Sequence, residues 1–339
     1  MKALLLLLSV VQNQTLSQIR VPAAADSGLN IPVITIKGAK PGRTVAFVSG
    51  SHGTEYASIV AMQRLAPRID AARLSGTVII VPIINIASIE QMTPHINPTD
   101  RKGMNANYPG DSAGTQTQRA LFAVAREIVA PADVVVDLHG GDLDEDLRPY
   151  SYWFRRGNAA QDSAGKALAL AFGLDHIIVT DMNPSAPARS LSTYALASGK
   201  IAFVAEAGRS GMVLDEDVNA LVDGSLNVLA ALGMIERKVP AMKRITWLNG
   251  AGARVVADSG GMWFATVHRD ARVKKDDVIG YTTNYYGIRG NPDARVTTDV
   301  RSPIDGVVTF IRGVPSMWKG ATLANVAPIL ETIPPWKAP

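Results

Sequence analysis

The chain has 339 residues, with 47% apolar and 19% charged side chains, which fits a globular protein of one large domain or two modest ones with a sizeable core. Its net charge of +4 comes from scattered Lys and Arg rather than a basic run, so nothing in the sequence suggests a nucleic-acid-binding face. There is no Cys, which excludes disulfides and thiolate metal sites; any metal must use Asp, Glu or one of five His, at positions 52, 95, 139, 176 and 268.

The chain opens with Met1-Lys2 and a near-continuous apolar run from Ala3 to Val11. One cation before a short apolar core matches the front of a secretory signal peptide, and the run is too short to span a bilayer. Residues 1–14 are therefore expected to direct export, giving a periplasmic or secreted protein. The alternative is a first buried strand or helix in a cytoplasmic protein, because no small-x-small cleavage site follows before Ala23-Ala24-Ala25. No other segment is long and apolar enough for a membrane.

Strands are predicted at 18–21, 31–36 and 44–48, with a turn at Lys40-Pro41-Gly42 between the last two. The third strand runs into Gly50-Ser51-His52-Gly53-Thr54-Glu55, and apolar residues resume at Ala57, so a helix is predicted over 55–66, ending at Pro67. The next predicted strand, from Thr77, is apolar at every position from Val78 to Val81, as expected for a strand covered on both faces. Residues 93–114 read as a long loop, and a stretch of that length inside a compact domain is usually functional. A helix at 116–129 leads to a buried strand at 133–138 with His139 at its end. An acidic run, Asp142 to Asp146, precedes an aromatic cluster of Tyr150, Tyr152, Trp153 and Phe154 that suits either core or pocket lining. Helix (162–172), strand (176–179), helix (190–198), strand (201–205, then Glu206) and helix (215–232) complete an alternating pattern. The fold class is therefore α/β, with a mainly parallel or mixed sheet and helices on both faces. Past residue 240 the texture becomes short β-like pieces without a clear helix. The expected domains are 15–240 for the α/β unit and 241–339 for a small all-β unit.

His52 and Glu55, three apart at a helix start, share one face. Such a pair alone is ordinary on a protein surface. His139 and Glu206, however, also stand at strand ends, and in open α/β sheets ligands bind beyond the carboxyl ends of the strands. His52, Glu55 and His139 would hold one Zn²⁺ and leave a position open for water. Glu206, not needed as a ligand, is then the candidate general base. Asp137, two residues before His139 on the same strand face, could orient its imidazole.

Four motifs carry a family resemblance: Gly50-Ser51-His52-Gly53-Thr54-Glu55, Met104-Asn105-Ala106-Asn107-Tyr108-Pro109-Gly110, Asp137-Leu138-His139-Gly140-Gly141-Asp142 and Ala205-Glu206-Ala207-Gly208. Together they resemble, in order, the succinylglutamate desuccinylase and aspartoacylase family, relatives of the zinc carboxypeptidases. The resemblance implies a zinc deacylase of N-acyl amino acids or related amides, with zinc on His52, Glu55 and His139, and Glu206 as base. It also implies a substrate contact from Asn105. In that family an Arg follows this Asn and binds the substrate carboxylate; here Ala106 stands in its place. Arg101, Lys102 and Arg209 are the nearby cations that could substitute, Arg101 foremost.

The C-terminal stretch resembles a biotinyl/lipoyl-type barrel-sandwich, at 273–280, 302–308 and 319–323, but has no Met-Lys attachment turn in the hairpin position. A carrier role is therefore not expected; the resemblance to the deacylase family implies a domain beside the active site that covers it or mediates contacts in a homo-oligomer. The expected partner is a small-molecule substrate, with no nucleic acid and no membrane. Two other readings stay open: a carboxypeptidase-like peptidase, and a non-catalytic metal- or ligand-binding relative.

Overall fold

The computed structural model describes residues 14–286 and 297–339. The expected export segment, residues 1–14, thus lies outside the described residues except for Gln14.

Ten strands and six α-helices precede residue 250 among the described residues. The strands are β1 (Gln14–Val21), β2 (Leu29–Lys37), β3 (Lys40–Ser49), β4 (Ser75–Val81), β5 (Val134–His139), β6 (Glu145–Leu147), β7 (Tyr150–Arg155), β8 (His176–Asp181), β9 (Ile201–Glu206) and β10 (Thr246–Asn249). The helices are α1 (Tyr56–Leu65), α2 (Ile86–Glu90), α3 (Gln116–Val124), α4 (Ala159–Phe172), α5 (Leu191–Ala197) and α6 (Asp215–Ala231). All of these strands but β6 form a nine-stranded sheet in the order β1-β2-β4-β3-β5-β9-β7-β8-β10. The sheet is mixed: β4, β3, β5 and β9 are parallel, whereas β1–β2, β2–β4 and β7–β9 pair antiparallel.

Period-two alternation splits the central strands between two cores. Val45, Phe47, Val134, Val136 and Leu138 face α1, α4 and α6, while Ala46, Val48 and Val135 face α3 and α5. Every residue of β5 is buried, which explains why its sequence is apolar without interruption up to Asp137. The aromatic cluster is itself a strand, β7: Tyr150 to Tyr152 pair with β9, and Ser151 to Arg155 with β8.

The chain crosses the expected boundary at residue 240 before leaving the main sheet, because β10 pairs in parallel with β8. The C-terminal region is all-β, as expected. Its first sheet holds β11 (Ala253–Val256), β18 (Thr322–Ala327), β16 (Gly306–Arg312) and β13 (Arg272–Val273); its second holds β15 (Thr297–Arg301), β14 (Val278–Thr283), β12 (Gly261–Ala265) and β17 (Ser316–Met317). Trp263, Ile279, Val308 and Leu323 sit in the core between them.

The two regions interlock. β6, from the α/β part, pairs with β16, placing Glu145 opposite Arg312, Asp146 opposite Ile311 and Leu147 opposite Phe310. The C-terminal tail returns to the first region, where Leu330 N–H donates to Trp247 O at 2.8 Å and Arg155 donates to Pro334 O at 2.7 Å.

Candidate active site

His52 and Glu55 lie on the turn between β3 and α1. Gly50 begins that turn at φ 68°, a left-handed conformation that suits Gly, and a Cβ there would stand 2.7 Å from Ile83 Cα. The turn is braced from below by Asn85, whose side chain donates to Ser51 O at 3.2 Å and whose backbone N–H donates to Gly50 O at 2.9 Å. Asp142, fully buried, ties the turn to the segment after β5 by accepting from Thr54 Oγ1, from the His95 backbone N–H at 2.9 Å and from the Leu143 N–H at 2.7 Å.

Glu55 is the centre of the cluster. Its Oε1 lies 2.5 Å from His52 Nδ1, and its Oε2 lies 2.9 Å from His139 Nδ1 and accepts from the Gly140 N–H at 3.1 Å. The three residues offer donor atoms within 4.8 Å of one another, a donor set that suits one divalent cation. The far nitrogen of His139, Nε2, lies 3.0 Å from Asp137 Oδ1. Asp137 thus sets a buried carboxylate against the ring on the side away from Glu55, a charge that supports an imidazole facing a cation. Burial opposes ionising Glu55, but the His139 and His52 rings outweigh it and hold the carboxyl well below the usual range. Burial likewise opposes a charged His139, yet Glu55 and Asp137 raise its pKa well above that of a free imidazole. So tight a cluster of negative charge around two imidazoles is the environment in which a cation replaces ring protons.

These residues open onto a cleft of about 280 Å³ that also contains Glu206, Glu145, Asn105 and Tyr152 in its wall. Glu206 ends β9 and pairs in register with His139 on β5, so it reaches the same sheet edge. Its pKa lies well above the usual carboxylate value, chiefly because the site desolvates it; His139 pulls the other way, and Glu55, Glu145 and Asp137 push it further up. Glu145 is raised to about 7, first by burial, with His95 opposing and Glu55 adding.

The structure therefore brings His52, Glu55, His139, Glu206 and Asn105 to one cleft. The side-chain amide of Asn105 is 3.2 Å from His139 Nε2, and its carbonyl oxygen is buried with no protein partner, leaving it available to a ligand N–H. It does not bring Arg101 there. That residue is exposed, in a left-handed turn closed by the Asn97–Lys102 backbone pairing, and it is absent from the cleft wall. Arg209 is engaged elsewhere, by Glu216 at 3.2 Å and Asp146 at 3.5 Å. No Lys or Arg lines the cleft among the described residues.

The aromatic cluster, which suited either core or pocket lining, supplies part of the wall, beside residues with no expected role. Tyr150, Tyr152 and Phe154 alternate along β7, and that period-two spacing is the signal that could have shown one strand face turned to the cleft. Glu145 was hidden in an acidic run, and Phe310 and Asn325 come from the distant C-terminal region. His95 packs edge-on to His52 with ring centroids 5.7 Å apart, and its nitrogens lie 3.2 Å from Asp142 and 3.0 Å from Asp144.

An open mixed α/β sheet with a His-Glu-His donor set and a carboxylic acid across the cleft defines an enzyme of the hydrolase type. The succinylglutamate desuccinylase/aspartoacylase catalytic domain model matches residues 41–232, more than half of the chain, and the protein belongs to that family. The chain is 29% identical over 307 residues to N-alpha-acetyl-L-2,4-diaminobutyric acid deacetylase of Halomonas elongata, covering 89% of this chain and 87% of that one. Among solved structures it is similar to a succinylglutamate desuccinylase/aspartoacylase from Rhodobacter sphaeroides, at TM-score 0.82 and 25% identity over 94% of this chain and 96% of that one. The product-bound ectoine utilization protein EutE (DoeB) from Ruegeria pomeroyi shares the fold at TM-score 0.82, with 21% identity over 93% of this chain and 95% of the other.

Proposed function

We propose that the protein is a zinc-dependent amide hydrolase that removes the acyl group from a small N-acyl compound, with one Zn²⁺ per chain. The observation that carries this reading is the register match of Glu206 with His139, which sets a desolvated carboxyl beside the three-residue donor set. The deacetylase activity in the name of the Halomonas relative supports it.

His52, Glu55 and His139 would hold the metal. A zinc ion bound there supplies Lewis acidity towards a carbonyl oxygen and makes water more acidic. Glu206 then accepts a proton from the attacking water at a carboxylate oxygen and delivers it to the leaving nitrogen. Its raised pKa suits the second half of that task, and the positive charge of a bound cation favours the ionised form needed for the first. Asp137 sets its negative charge beside the His139 ring, and Asn105 Oδ1 accepts from the substrate amide N–H. The ring faces of Tyr152 and Phe154, stacked with centroids 5.6 Å apart, wall the cleft with apolar surface. The two antiparallel sheets of the C-terminal region support the barrel-sandwich reading of that domain.

A terminal carboxylate, as a carboxypeptidase-like enzyme must hold, finds no Lys or Arg in the described cleft wall, and a non-catalytic relative would not need Glu206. The test is hydrolysis of a panel of N-acyl amino acids, N-acyl amines, acyl-peptides and esters by zinc-loaded protein. Glu206→Gln should lower kcat by roughly 10²- to 10⁴-fold with zinc content unchanged. Full activity in that variant removes Glu206 from the mechanism.

A further inference from the structure

Two sets of strands wall the cleft, and they differ in chemistry. The first is one face of β7, where Tyr150, Tyr152 and Phe154 alternate and Tyr150 stands opposite Glu206 across the β7–β9 pair. Tyr150 and Tyr152 meet edge-on, with ring centroids 5.2 Å apart. The second set is β6, β16 and β18. Leu147 pairs with Phe310 and Phe310 with Asn325, so these three form one row across the strands. Glu145, two residues before Leu147, belongs to the same strand face. All of these side chains line the cleft itself, so a molecule bound at the donor set lies among them.

The charge in this space is of one sign. Glu55, Asp137, Glu145 and Glu206 line the cleft, and no Lys or Arg does among the described residues. Three of these carboxyl groups are already committed. Glu55 lies between the His52 and His139 rings, Asp137 lies 3.0 Å from His139 Nε2, and Glu206 is the base of the proposed reaction. Glu145 remains. Its carboxylate accepts from the Asp142 N–H at 3.3 Å, and no Lys or Arg pairs with it among the described residues. The His95 ring comes within 4.8 Å, but its nitrogens are held by Asp142 at 3.2 Å and Asp144 at 3.0 Å. A half-buried carboxyl among aromatic rings suits an ammonium group: the carboxylate supplies the charge, and ring faces attract a cation that has shed part of its water. Burial opposes ionising Glu145, and a bound cation offsets that cost.

We propose that the cleft selects a substrate bearing a protonated amino group, received by Glu145 and the aromatic rings of Tyr152 and Phe310. The inference rests on the deacylase reading for the position of the scissile amide. It makes the preferred substrate a small amide that ends in an ammonium group and carries no carboxylate, such as a mono-N-acyl diamine. An ω-aminoacyl amide, with the ammonium on the acyl half, offers the same chemistry, and the test separates the two.

The experiment uses zinc-loaded full chain and both compound types at increasing chain length, each beside a neutral analogue with methyl in place of ammonium. The wild type should favour the ammonium form of one type. Glu145→Gln should lower the ammonium-over-neutral ratio of kcat/KM by about tenfold, through KM rather than kcat, and Glu145→Asp should retain part of the preference. No ammonium preference in the wild type, or an equal ratio in wild type and Glu145→Gln, overturns the proposal. Should the Gln variant not fold, Glu145→Asp decides: a reduced ratio supports the proposal and an unchanged one overturns it. If the wild type hydrolyses none of these amides, the deacylase reading has failed separately. Calorimetric binding of the same compounds then decides: ammonium-dependent binding lost in Glu145→Gln supports the proposal, and binding that is absent or indifferent to Glu145 overturns it.

Discussion

Asp137 Oδ1 lies 3.0 Å from Nε2 of His139, on the side of the ring opposite Glu55, whose Oε2 is 2.9 Å from Nδ1. One imidazole is thus clamped between two buried carboxylates, and only one of them belongs to the donor set. Asp137→Asn keeps the volume but removes the negative charge beside the ring. Zinc affinity should fall by roughly 10- to 100-fold while thermal stability of the metal-free protein changes little. Competition against a chromophoric chelator measures the first and a melting curve the second; unaltered zinc affinity would show that Asp137 does not support the ligand.

Removing a ligand should act more severely. His139→Ala takes away one of the three donors, so zinc retained after dialysis should drop from about one equivalent to a small fraction, in line with the need of such sites for three protein ligands. Chelation of the wild type should abolish hydrolysis, and added Zn²⁺ should restore it. A full zinc equivalent in the purified His139→Ala variant would place the metal elsewhere.

Glu145 carries a pH prediction. Its carboxyl, pushed first by burial to about 7 from an ordinary 4.5, binds a proton in the folded state that the unfolded chain has already released. Stability should therefore decline as pH rises between those two values, and Glu145→Gln should be the more stable protein above pH 7 but not below 4.5. In the same upper range the wild-type cleft gains a negative charge, so KM for an anionic substrate should climb through neutrality. The Gln variant should lack that climb. Identical pH profiles of Tm and KM in the two proteins would contradict the placement.

Gly141 and Gly208 bring the segments after β5 and β9 into backbone contact. A Cβ on Gly141 would stand 2.3 Å from Glu145 O and 2.7 Å from Gly208 C, and one on Gly208 would stand 2.3 Å from Gly141 N. None of these neighbours is a side chain that can swing away. Gly141→Ala should therefore cost about 1–3 kcal/mol, as overpacking typically does. Because Glu206 and His139 end the two strands concerned, activity should fall further than stability alone explains. Denaturant unfolding beside kcat separates the two losses, and a variant as stable and as active as the parent would show that the segments can part.

Much of this was legible in the residues themselves. The apolar run Val134 to Val136 announced a strand covered on both faces, and the strand ends announced where His139 and Glu206 would meet. What escaped detection depends on distant pairing. Thr246 to Asn249 is too short to declare itself the last strand of the main sheet, since only β8 completes its ladder. The acidic run around Glu145 carries no strand signal of its own, because β16, its strand partner, begins at Gly306.

The ladder between β6 and β16 also bears on how a substrate enters. A mouth that opened by swinging the C-terminal region aside would have to break the pairing at Leu147, Asp146 and Glu145, and with it the wall that holds a catalytic-cleft carboxyl. Cleft wall and C-terminal region therefore move as one piece, so a change that loosens β16 at Phe310 to Arg312 also disturbs the wall in which Glu145 sits.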